Sequence, residues 1–318
     1  MQDKVRTAAP SAQATAQAII ANVERVIVGK RQAVEYALAA AMAGGHVLIE
    51  DVPGLGKTML ARALAVSLGL DFRRIQFTAD LMPSDIVGGP VYNPKDGSFS
   101  LRMGPVFANV VLADEINRAN PRAQSALLES MEEGQITLDG QTIRLPQPFL
   151  VLATQNPIDM AGTYPLPEAQ LDRFLVRLSL GYPDIALEAG LIATQQFAHP
   201  VASLAPACTP TAFIALADAS RHVLLTPELA AFIAGIVAAT RKSSHIRYGA
   251  SPRGTLAIAR MARALSCIRG VDYVDPSVVR ELAEPVLAHR IVLQPQAAAA
   301  RTAGSVVQDI LAAQPTPR

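Results

Sequence analysis

Val47-Leu-Ile-Glu-Asp-Val-Pro-Gly-Leu-Gly-Lys-Thr58 is the stretch of sequence that decides the fold of this 318-residue chain. It passes from an apolar strand pattern, through a loop with two glycines, into a helical pattern that runs to about Leu68. Gly54 and Gly56 let backbone N–H groups converge where a Cβ would intrude, and the helix N-terminus adds its own donors and dipole. This arrangement predicts a phosphate-binding loop between a strand and a helix.

The loop and the first helical turn supply the predicted nucleotide contacts. We expect Lys57 to reach the β and γ phosphates of ATP, and the Thr58 hydroxyl to coordinate Mg²⁺. The full G-x-x-x-x-G-K-[ST] pattern has glycine where this chain has Asp51, but that position opens the turn and is farther from the phosphates. An ordinary strand-to-helix turn is the alternative interpretation. The predicted contacts are Pro53, Gly54, Leu55, Gly56, Lys57, Thr58 and Met59.

Two further apolar runs end in polar residues suited to phosphate chemistry. Val110-Val-Leu-Ala-Asp-Glu115 delivers two adjacent carboxylates, and parallel sheets bind ligands at the carboxyl ends of their strands. We predict that Asp114 holds the Mg²⁺ shell and that Glu115 orients and deprotonates the attacking water. Phe149-Leu-Val-Leu-Ala-Thr-Gln-Asn156 ends in a third candidate, Asn156, which is placed to position that water. A solvated strand end and a turn-forming Asn before Pro157 are the alternatives.

The chain divides into an α/β part and a helical part. Apolar runs of strand length alternate with helical patterns over residues 21–183, which predicts a parallel sheet with helices on both faces. Ala-rich helical spacing without a convincing strand predicts an all-helical domain over residues 184–313. Residues 1–20 are expected to be a flexible lead-in, and residues 314–318 a frayed tail. The predicted strands are His46–Glu50, Arg74–Phe77, Val110–Ala113, Phe149–Ala153 and Arg177–Leu180.

Composition narrows the choice of partners and compartment. Half of the residues are apolar and 17% are charged, which fits a compact protein of two domains. The formal charge of +1, without a dense Lys/Arg block, argues against nucleic acid as a partner. The longest uncharged stretches fall short of the roughly 18 residues that suggest a membrane span. Two cysteines without metal-ligand spacing suit a reducing compartment, so we expect a cytoplasmic protein.

Several long motifs, in order along residues 21–290, resemble those of the MoxR family of bacterial AAA+ ATPases. Their number and order make the resemblance highly specific. The motifs are Asp51-Val-Pro-Gly-Leu-Gly-Lys-Thr58, Asp114-Glu-Ile-Asn-Arg-Ala119, Met131-Glu-Glu-Gly-Gln135, Ala153-Thr-Gln-Asn-Pro157, Pro167-Glu-Ala-Gln-Leu-Asp-Arg-Phe174 and Gly249-Ala-Ser-Pro-Arg-Gly254.

The resemblance implies an AAA+ P-loop core with strand order 5-1-4-3-2, a helical lid and a ring, usually hexameric. It also implies that Val28 and Gly29 lie near the adenine and that Asn156 is the first sensor. Arg173 would be the finger offered to the ATP of a neighbouring subunit, and Arg253 would be the lid sensor. The permanent planar charge of arginine suits phosphoryl oxygens. Arg173 could instead cap a helix or pair with Asp172 or Glu168, and Arg253 could pair with an acidic neighbour.

Two hairpins are predicted inside the α/β part. Asp96-Gly97 between apolar residues indicates a turn within an insert at about residues 88–105, and Asp139-Gly140 indicates a second hairpin over about 135–145. The resemblance implies that both lie on one face of the ring, near a pore. A passive surface hairpin is the alternative for each.

The function that we expect is ATP-driven, chaperone-like remodelling of a client protein, with a von Willebrand factor A-domain protein as partner. Three alternatives remain at this point. The chain could be the ATPase subunit of a metal chelatase, a nucleic-acid motor, or a nucleotide-dependent scaffold without catalysis. The weak net charge disfavours the motor, and an intact Glu115 disfavours the scaffold.

Overall fold

A five-stranded parallel sheet forms the centre of the computed structural model, which describes residues 9–95, 97–156, 162–185, 187–188 and 200–317. The sheet has the order β2-β5-β8-β1-β9. When its strands are numbered along the chain, this is the predicted order 5-1-4-3-2, so the AAA+ α/β fold is confirmed. The strands are β1 (Val47–Glu50), β2 (Phe72–Gln76), β3 (Gly88–Tyr92), β4 (Phe99–Met103), β5 (Val110–Asp114), β6 (Gln135–Leu138), β7 (Gln141–Arg144), β8 (Leu150–Gln155), β9 (Val176–Leu178), β10 (Ile246–Tyr248) and β11 (Val292–Leu293).

Six of the helices among the described residues begin at a side chain that satisfies their first free N–H groups. At the start of α5, the Asn120 side chain accepts hydrogen bonds from the backbone N–H groups of Arg122 and Ala123. Within the described residues, no helix combines the length and the hydropathy needed to cross a bilayer. The helices are α1 (Ala9–Glu24), α2 (Arg31–Met42), α3 (Lys57–Ser67), α4 (Pro83–Val87), α5 (Pro121–Glu133), α6 (Glu168–Leu171), α7 (Pro210–Arg221), α8 (Pro227–Lys242), α9 (Pro252–Ile268), α10 (Pro276–Leu287), α11 (Pro295–Ala298) and α12 (Ala303–Ala313).

The three inner strands of the sheet are buried along almost their whole length. β5 is buried at every position, and β1 and β8 are buried at all but their last residue. Helices cover both faces of such a sheet, so its strands are mainly apolar rather than alternating. Their polar residues lie at or near the carboxyl ends, Asp114 and Thr154 among them, and those ends carry the candidate site.

The N-terminal helix corrects the predicted lead-in. We expected residues 1–20 to be loosely held, but α1 begins at Ala9, and Ala16, Ile19 and Ile20 are completely buried in the main core. The Gln17 side chain also donates to the carbonyl of Ile268, 3.0 Å away on α9. The sequence pattern did not predict this packing, because the helix is rich in alanine. Alanine allows close helix packing without the periodic large apolar residues that mark an amphipathic helix. Residues 1–8 lie outside the described residues.

The second domain is helical, with one element that the sequence pattern missed. The strands β10 and β11 pair as a short antiparallel ribbon, each too short to show periodicity. The expected frayed tail also differs, because Arg280 donates to the carbonyl of Gln314 (2.8 Å) and to the hydroxyl of Thr316 (2.7 Å). Part of the predicted helical domain, residues 186 and 189–199, lies outside the described residues, as does Arg318.

An ionic network fastens the lid to the N-terminal helices. Arg269, which follows α9, pairs with Glu281 of α10 (2.8 Å) and with Glu35 of α2 (3.3 Å). The hydroxyl of Tyr36 donates to the same Glu281 carboxylate at 2.8 Å. Burial and this carboxylate raise the pKa of Tyr36, so the phenol stays protonated as the donor. The lid is thus joined to the core through α1 and α2.

Both hairpins are antiparallel and stand outside the sheet. β3 pairs with β4, and the rings of Tyr92 and Phe99 meet there with their centroids 5.3 Å apart. β6 pairs with β7 across the turn at Asp139 and Gly140. Gly88 fits only without a side chain, because an added Cβ would lie 2.1 Å from the carbonyl oxygen of Arg102. Asp96, in the turn of the first hairpin, lies outside the described residues.

We predict that Ile20→Ala destabilises the protein by about 2–4 kcal/mol, because the side chain is fully buried and its removal leaves a cavity. The exposed neighbour Ala21 provides the control, since Ala21→Ser should change the free energy of unfolding by less than about 0.5 kcal/mol. Urea denaturation followed by circular dichroism measures both. Equal stabilities for the two variants would mean that α1 is loosely attached.

Candidate nucleotide site

The loop before α3 has the backbone of a phosphate cradle. Gly54 and Gly56 both have φ of +87°, a left-handed conformation that residues with a Cβ rarely adopt. The space at Gly54 is open, because a Cβ built there would meet no atom within 4 Å. Lys57 and Thr58 begin α3, so their N–H groups belong to the free N-terminal turn. The predicted contact residues 53–59 thus form one continuous surface from loop to helix.

Lys57 is held within its own loop. Its ammonium group donates to the carbonyl oxygens of Asp51 at 2.5 Å and of Val52 at 3.2 Å. Burial lowers the pKa of Lys57, while Asp51, Asp114 and Glu115 act in the opposite direction. The charge therefore lies among three carboxylates at the carboxyl ends of the strands, where a triphosphate would bring stronger acceptors.

Asp51 explains the departure from the full P-loop pattern. Its carboxylate accepts hydrogen bonds from the Ser179 hydroxyl at 3.0 Å and from the backbone N–H groups of Leu180 and Gly181. These residues follow β9 and lead towards the lid. A glycine at position 51 would leave the two buried or half-buried N–H groups without this acceptor. The carboxylate thus ties the beginning of the loop to the exit from the sheet.

Asp114 and Glu115 are fixed by one buried hydroxyl. Thr154 on β8 donates to Asp114 Oδ1 at 2.6 Å and accepts from the backbone N–H of Glu115 at 2.8 Å. The second oxygen of Asp114 accepts from Arg74 at 2.6 Å. Glu115 itself has a φ of 57°, uncommon for a residue with a side chain. Such backbone strain is typical of functional positions.

The Glu115 carboxylate is also engaged on β2 and in the following turn. It accepts from Gln76 Nε2 at 2.8 Å and from Arg118 at 3.1 Å. Sequence reasoning missed Arg74, Gln76 and Thr154 as site residues. Positions 74 and 76 do share one face of a strand, but only the sheet order shows that this strand lies beside β5.

Asn156 and the turn that contains Val28 and Gly29 both lie close to the glycine loop. Asn156 follows β8 directly, is buried, and its carbonyl accepts from the Asn117 side chain at 3.4 Å. Val28 and Gly29 lie in the turn between α1 and α2, next to Ile27. A Cβ at Gly56 would approach the Ile27 side chain to 3.6 Å, so this turn borders the cradle. Pro157 lies outside the described residues.

Arg173 and Arg253 lie at the amino ends of the strands, at the opposite end of the sheet from the glycine loop. Arg173 precedes β9, and its guanidinium donates to the Leu128 carbonyl at 2.6 Å and pairs with Glu132 at 2.9 Å. Arg253, in the first turn of α9, pairs with the other oxygen of Glu132 at 2.5 Å. Glu132 lies at the end of α5, beside the beginning of β1, where His46 contacts the Met131 carbonyl at 3.1 Å.

His46 marks that edge and is a structural residue. Its Nδ1 accepts from the Val151 N–H at 3.0 Å, so its Nε2 carries the proton donated to Met131. Complete burial lowers its pKa to about 4, and the ring stays neutral at physiological pH. The phosphate cradle begins after Glu50, at the far end of β1. A four-residue strand spans roughly 13 Å, so these arginines lie far from the cradle of their own chain.

The cradle side of the site fits Mg²⁺ and a nucleoside triphosphate. No group of three or more His, Cys, Asp or Glu among the described residues is arranged to hold a metal. Magnesium in NTPase sites needs only one or two side chains in addition to phosphate oxygens and water. Thr58 and Asp114 can supply them, provided that Asp114 shares or releases Arg74. The open space at Gly54 fits a phosphate group.

Comparisons with known proteins agree with this geometry. Residues 46–176 match the family described as "ATPase family associated with various cellular activities (AAA)", and residues 238–310 match the AAA lid domain. The chain is 42% identical over 288 residues to Chaperone MoxR1 of Mycobacterium tuberculosis, covering 88% of this chain and 76% of that protein. The chain belongs to the MoxR family of AAA+ ATPases. It is also 47% identical over 299 residues to the Bacillus subtilis protein YeaC, covering 94% and 93% of the two chains.

A solved structure resembles this MoxR-family chain over its whole length. The crystal structure of a proposed ATPase from Cytophaga hutchinsonii superimposes with a TM-score of 0.91 at 36% identity, covering 100% of this chain and 99% of that one. The family and the fold together make this MoxR-family chain an ATP hydrolase.

For ATP hydrolysis, residues of this chain must bind the triphosphate, position the attacking water and accept the proton that this water loses. Bound Mg²⁺ would neutralise charge on the phosphate oxygens. Lys57 and the N–H groups of residues 54–58 are the predicted phosphate ligands. Glu115 is the predicted proton acceptor, because it lies beside Asp114 with its backbone fixed by Thr154. Asn156 is the predicted water-positioning group at the end of the adjacent strand.

We predict that Glu115→Gln retains ATP binding and lowers turnover by roughly 10²-fold or more, because the amide keeps the shape but cannot accept the proton. Lys57→Ala should instead lose nucleotide binding. Glu129→Gln, an exposed carboxylate on α5, is the control and should behave like the wild type. Fluorescent-nucleotide binding and steady-state ATPase assays measure the two effects. A wild-type rate for Glu115→Gln would show that another group accepts the proton.

Proposed function

We propose that this MoxR-family protein acts as a ring of six subunits in which each ATP site is completed by the neighbouring subunit. The observation that carries this proposal is the separation of the site into two halves at opposite edges of one sheet. The cradle, Asp114 and Glu115 lie at the carboxyl ends of the strands, whereas Arg173 and Arg253 lie at the amino ends. A guanidinium held there can meet a γ-phosphate only across a subunit boundary.

The lid holds the finger residue in place. Arg290, whose side chain is 3% exposed, donates to the carbonyls of Asp172 (3.0 Å) and Phe174 (2.5 Å), on either side of Arg173. It also pairs with the Asp172 carboxylate, which accepts from the Ser251 hydroxyl at 3.0 Å. Movement of the lid would therefore move Arg173. This linkage supports a motor in which the nucleotide state of one site is passed to the next subunit.

The work of this motor is the remodelling of a client protein. A relative at 42% identity bears the name chaperone, which supports this class of activity. We propose ATP and Mg²⁺ as cofactors, a von Willebrand factor A-domain protein as partner, and the cytoplasm as the compartment. The A-domain partner comes from the family resemblance.

The first hairpin is the proposed client-binding element. Phe99 is 72% exposed and Tyr92 is 53% exposed, although both are large apolar groups and their rings contact each other at a tilted angle. Val91 and Met103 on the same hairpin are also exposed. Large exposed apolar side chains concentrated on one hairpin support an interaction site there. The hairpin stands outside the sheet and its described residues contribute no group to the cradle, so client binding and phosphate chemistry are separable.

We predict that two inactive variants restore activity when they are mixed. Arg173→Ala should bind ATP with near-normal affinity and hydrolyse it slowly, because the charge is needed mainly in the transition state. Lys57→Ala subunits cannot bind ATP but still offer an intact Arg173. Mixed rings contain interfaces with a functional cradle on one side and a functional finger on the other. Steady-state ATPase activity should therefore pass through a maximum as the mixing ratio varies.

The mixing experiment has an internal control in the double variant. Subunits that carry both Lys57→Ala and Arg173→Ala supply neither half, so adding them to either single variant should give no rescue. Assembly and subunit exchange are first confirmed by light scattering and fluorescence transfer. If the single variants stay inactive in every mixture, Arg173 acts within its own chain.

We predict that Tyr92→Ser/Phe99→Ser keeps basal ATPase activity within about twofold of the wild type and loses client binding, because aromatic groups dominate recognition surfaces. In the Glu115→Gln background, proteins that co-purify in the presence of ATP should be absent from the double variant. Tyr248→Ser in the lid, where the exposure of 59% is similar, is the control and should retain them. An unchanged set of co-purified proteins would make the hairpin a passive surface.

A further inference from the structure

One carboxylate joins the two arginines that the proposed function assigns to the neighbouring site. The two oxygens of Glu132 lie 2.9 Å from Arg173 of the core and 2.5 Å from Arg253 of the lid. Both guanidinium groups thus converge on a single anionic group. This is the arrangement in which two arginines clamp a phosphate, with carboxylate oxygens in the place of phosphoryl oxygens.

The surroundings of Glu132 carry an excess of positive charge. A cavity of about 380 Å³ lies at this edge of the sheet, and its charged lining residues define what we name the arginine pocket. Asp172 is occupied by the buried Arg290, so Glu132 alone faces the other three arginines. Arg260 makes no hydrogen bond or ion pair with any residue in the described part of the chain. The members of the pocket are Arg173, Arg253, Arg260, Arg290, Glu132 and Asp172.

Stability does not account for the Glu132 bridge. The side chains of Glu132, Arg173 and Arg253 are 35%, 29% and 53% exposed, and ion pairs at such positions add little to the free energy of folding. Three long side chains are nevertheless held in one geometry. A more highly charged anion could therefore displace Glu132 from both arginines at little cost in stability.

We propose that Glu132 is a resident anion that occupies the arginine pocket in the isolated subunit and is displaced by the terminal phosphates of the neighbouring subunit's nucleotide. Glu132 keeps Arg173 and Arg253 aligned towards one point before assembly, and it competes with phosphate for them. Displacement releases the Glu132 carboxylate to solvent, which its exposed position permits. This inference rests on the proposed sharing of the site between subunits.

The experiment measures anion binding to the pocket without the cradle. In the Lys57→Ala background, isothermal titration calorimetry follows the binding of inorganic pyrophosphate to dilute, unassembled protein. Adding Glu132→Gln should tighten this binding by about three- to tenfold, since each displaced ion pair is weak. Glu132→Ala should do the same. The adjacent exposed Glu133 gives the matched control, and Glu133→Gln should leave the affinity unchanged.

Dependence on the arginines identifies where the pyrophosphate binds. The gain should vanish when Arg173→Ala is added to the Glu132→Gln protein. With an intact Lys57, Glu132→Gln should also lower the protein concentration that gives half-maximal ATPase activity. Affinity that is unchanged or weaker in both Glu132 variants would overturn the resident-anion role. The mixing experiment tests separately whether the ATP site is shared between subunits, because rescue by mixing does not depend on Glu132. Rescue together with an unchanged pyrophosphate affinity would therefore contradict only the role of Glu132.

Discussion

All five strands of the core run in the same direction, and this constraint gives the two edges of the sheet different chemistry. The carboxyl ends present the glycine loop, Asp114, Glu115 and Asn156, while the amino ends present Arg173 and the arginines of the lid. The length of the strands separates the two sets, since even the four residues of β1 span roughly 13 Å. In the proposed function, two copies of the chain therefore supply the two sets to one site.

Each charged group of the site already has a partner within the chain. Lys57 is held by two loop carbonyls, Asp114 by Arg74, and Glu115 by Gln76 and Arg118. Such pairing keeps adjacent carboxylates and exposed arginines from repelling one another in the absence of nucleotide. Binding then becomes an exchange of partners, because phosphate oxygens replace internal acceptors.

Two carboxylates connect the nucleotide half and the finger half to the lid. Asp51 ties the beginning of the loop to the backbone at Leu180 and Gly181, on the way to the lid. Asp172 ties the finger to Arg290 and Ser251, within the lid. Both carboxylates are largely buried and accept from backbone or buried donors, and hydrogen bonds of this kind hold backbone positions firmly. The lid is thus attached directly at the amino ends of the strands, whereas at the carboxyl ends Asp51 holds the segment that leads to the lid.

The sequence by itself determined the α/β core with its helical lid, the strand order through the family motifs, and the candidate residues of the cradle. It could do so because a glycine loop, a paired carboxylate and an apolar strand act over a few neighbouring residues. Only the tertiary structure decided that Arg74, Gln76 and Thr154 hold the carboxylates, since strand adjacency joins residues that are about 40 positions apart. It also revealed α1 in the core and the common partner of Arg173 and Arg253, because both depend on how distant elements pack.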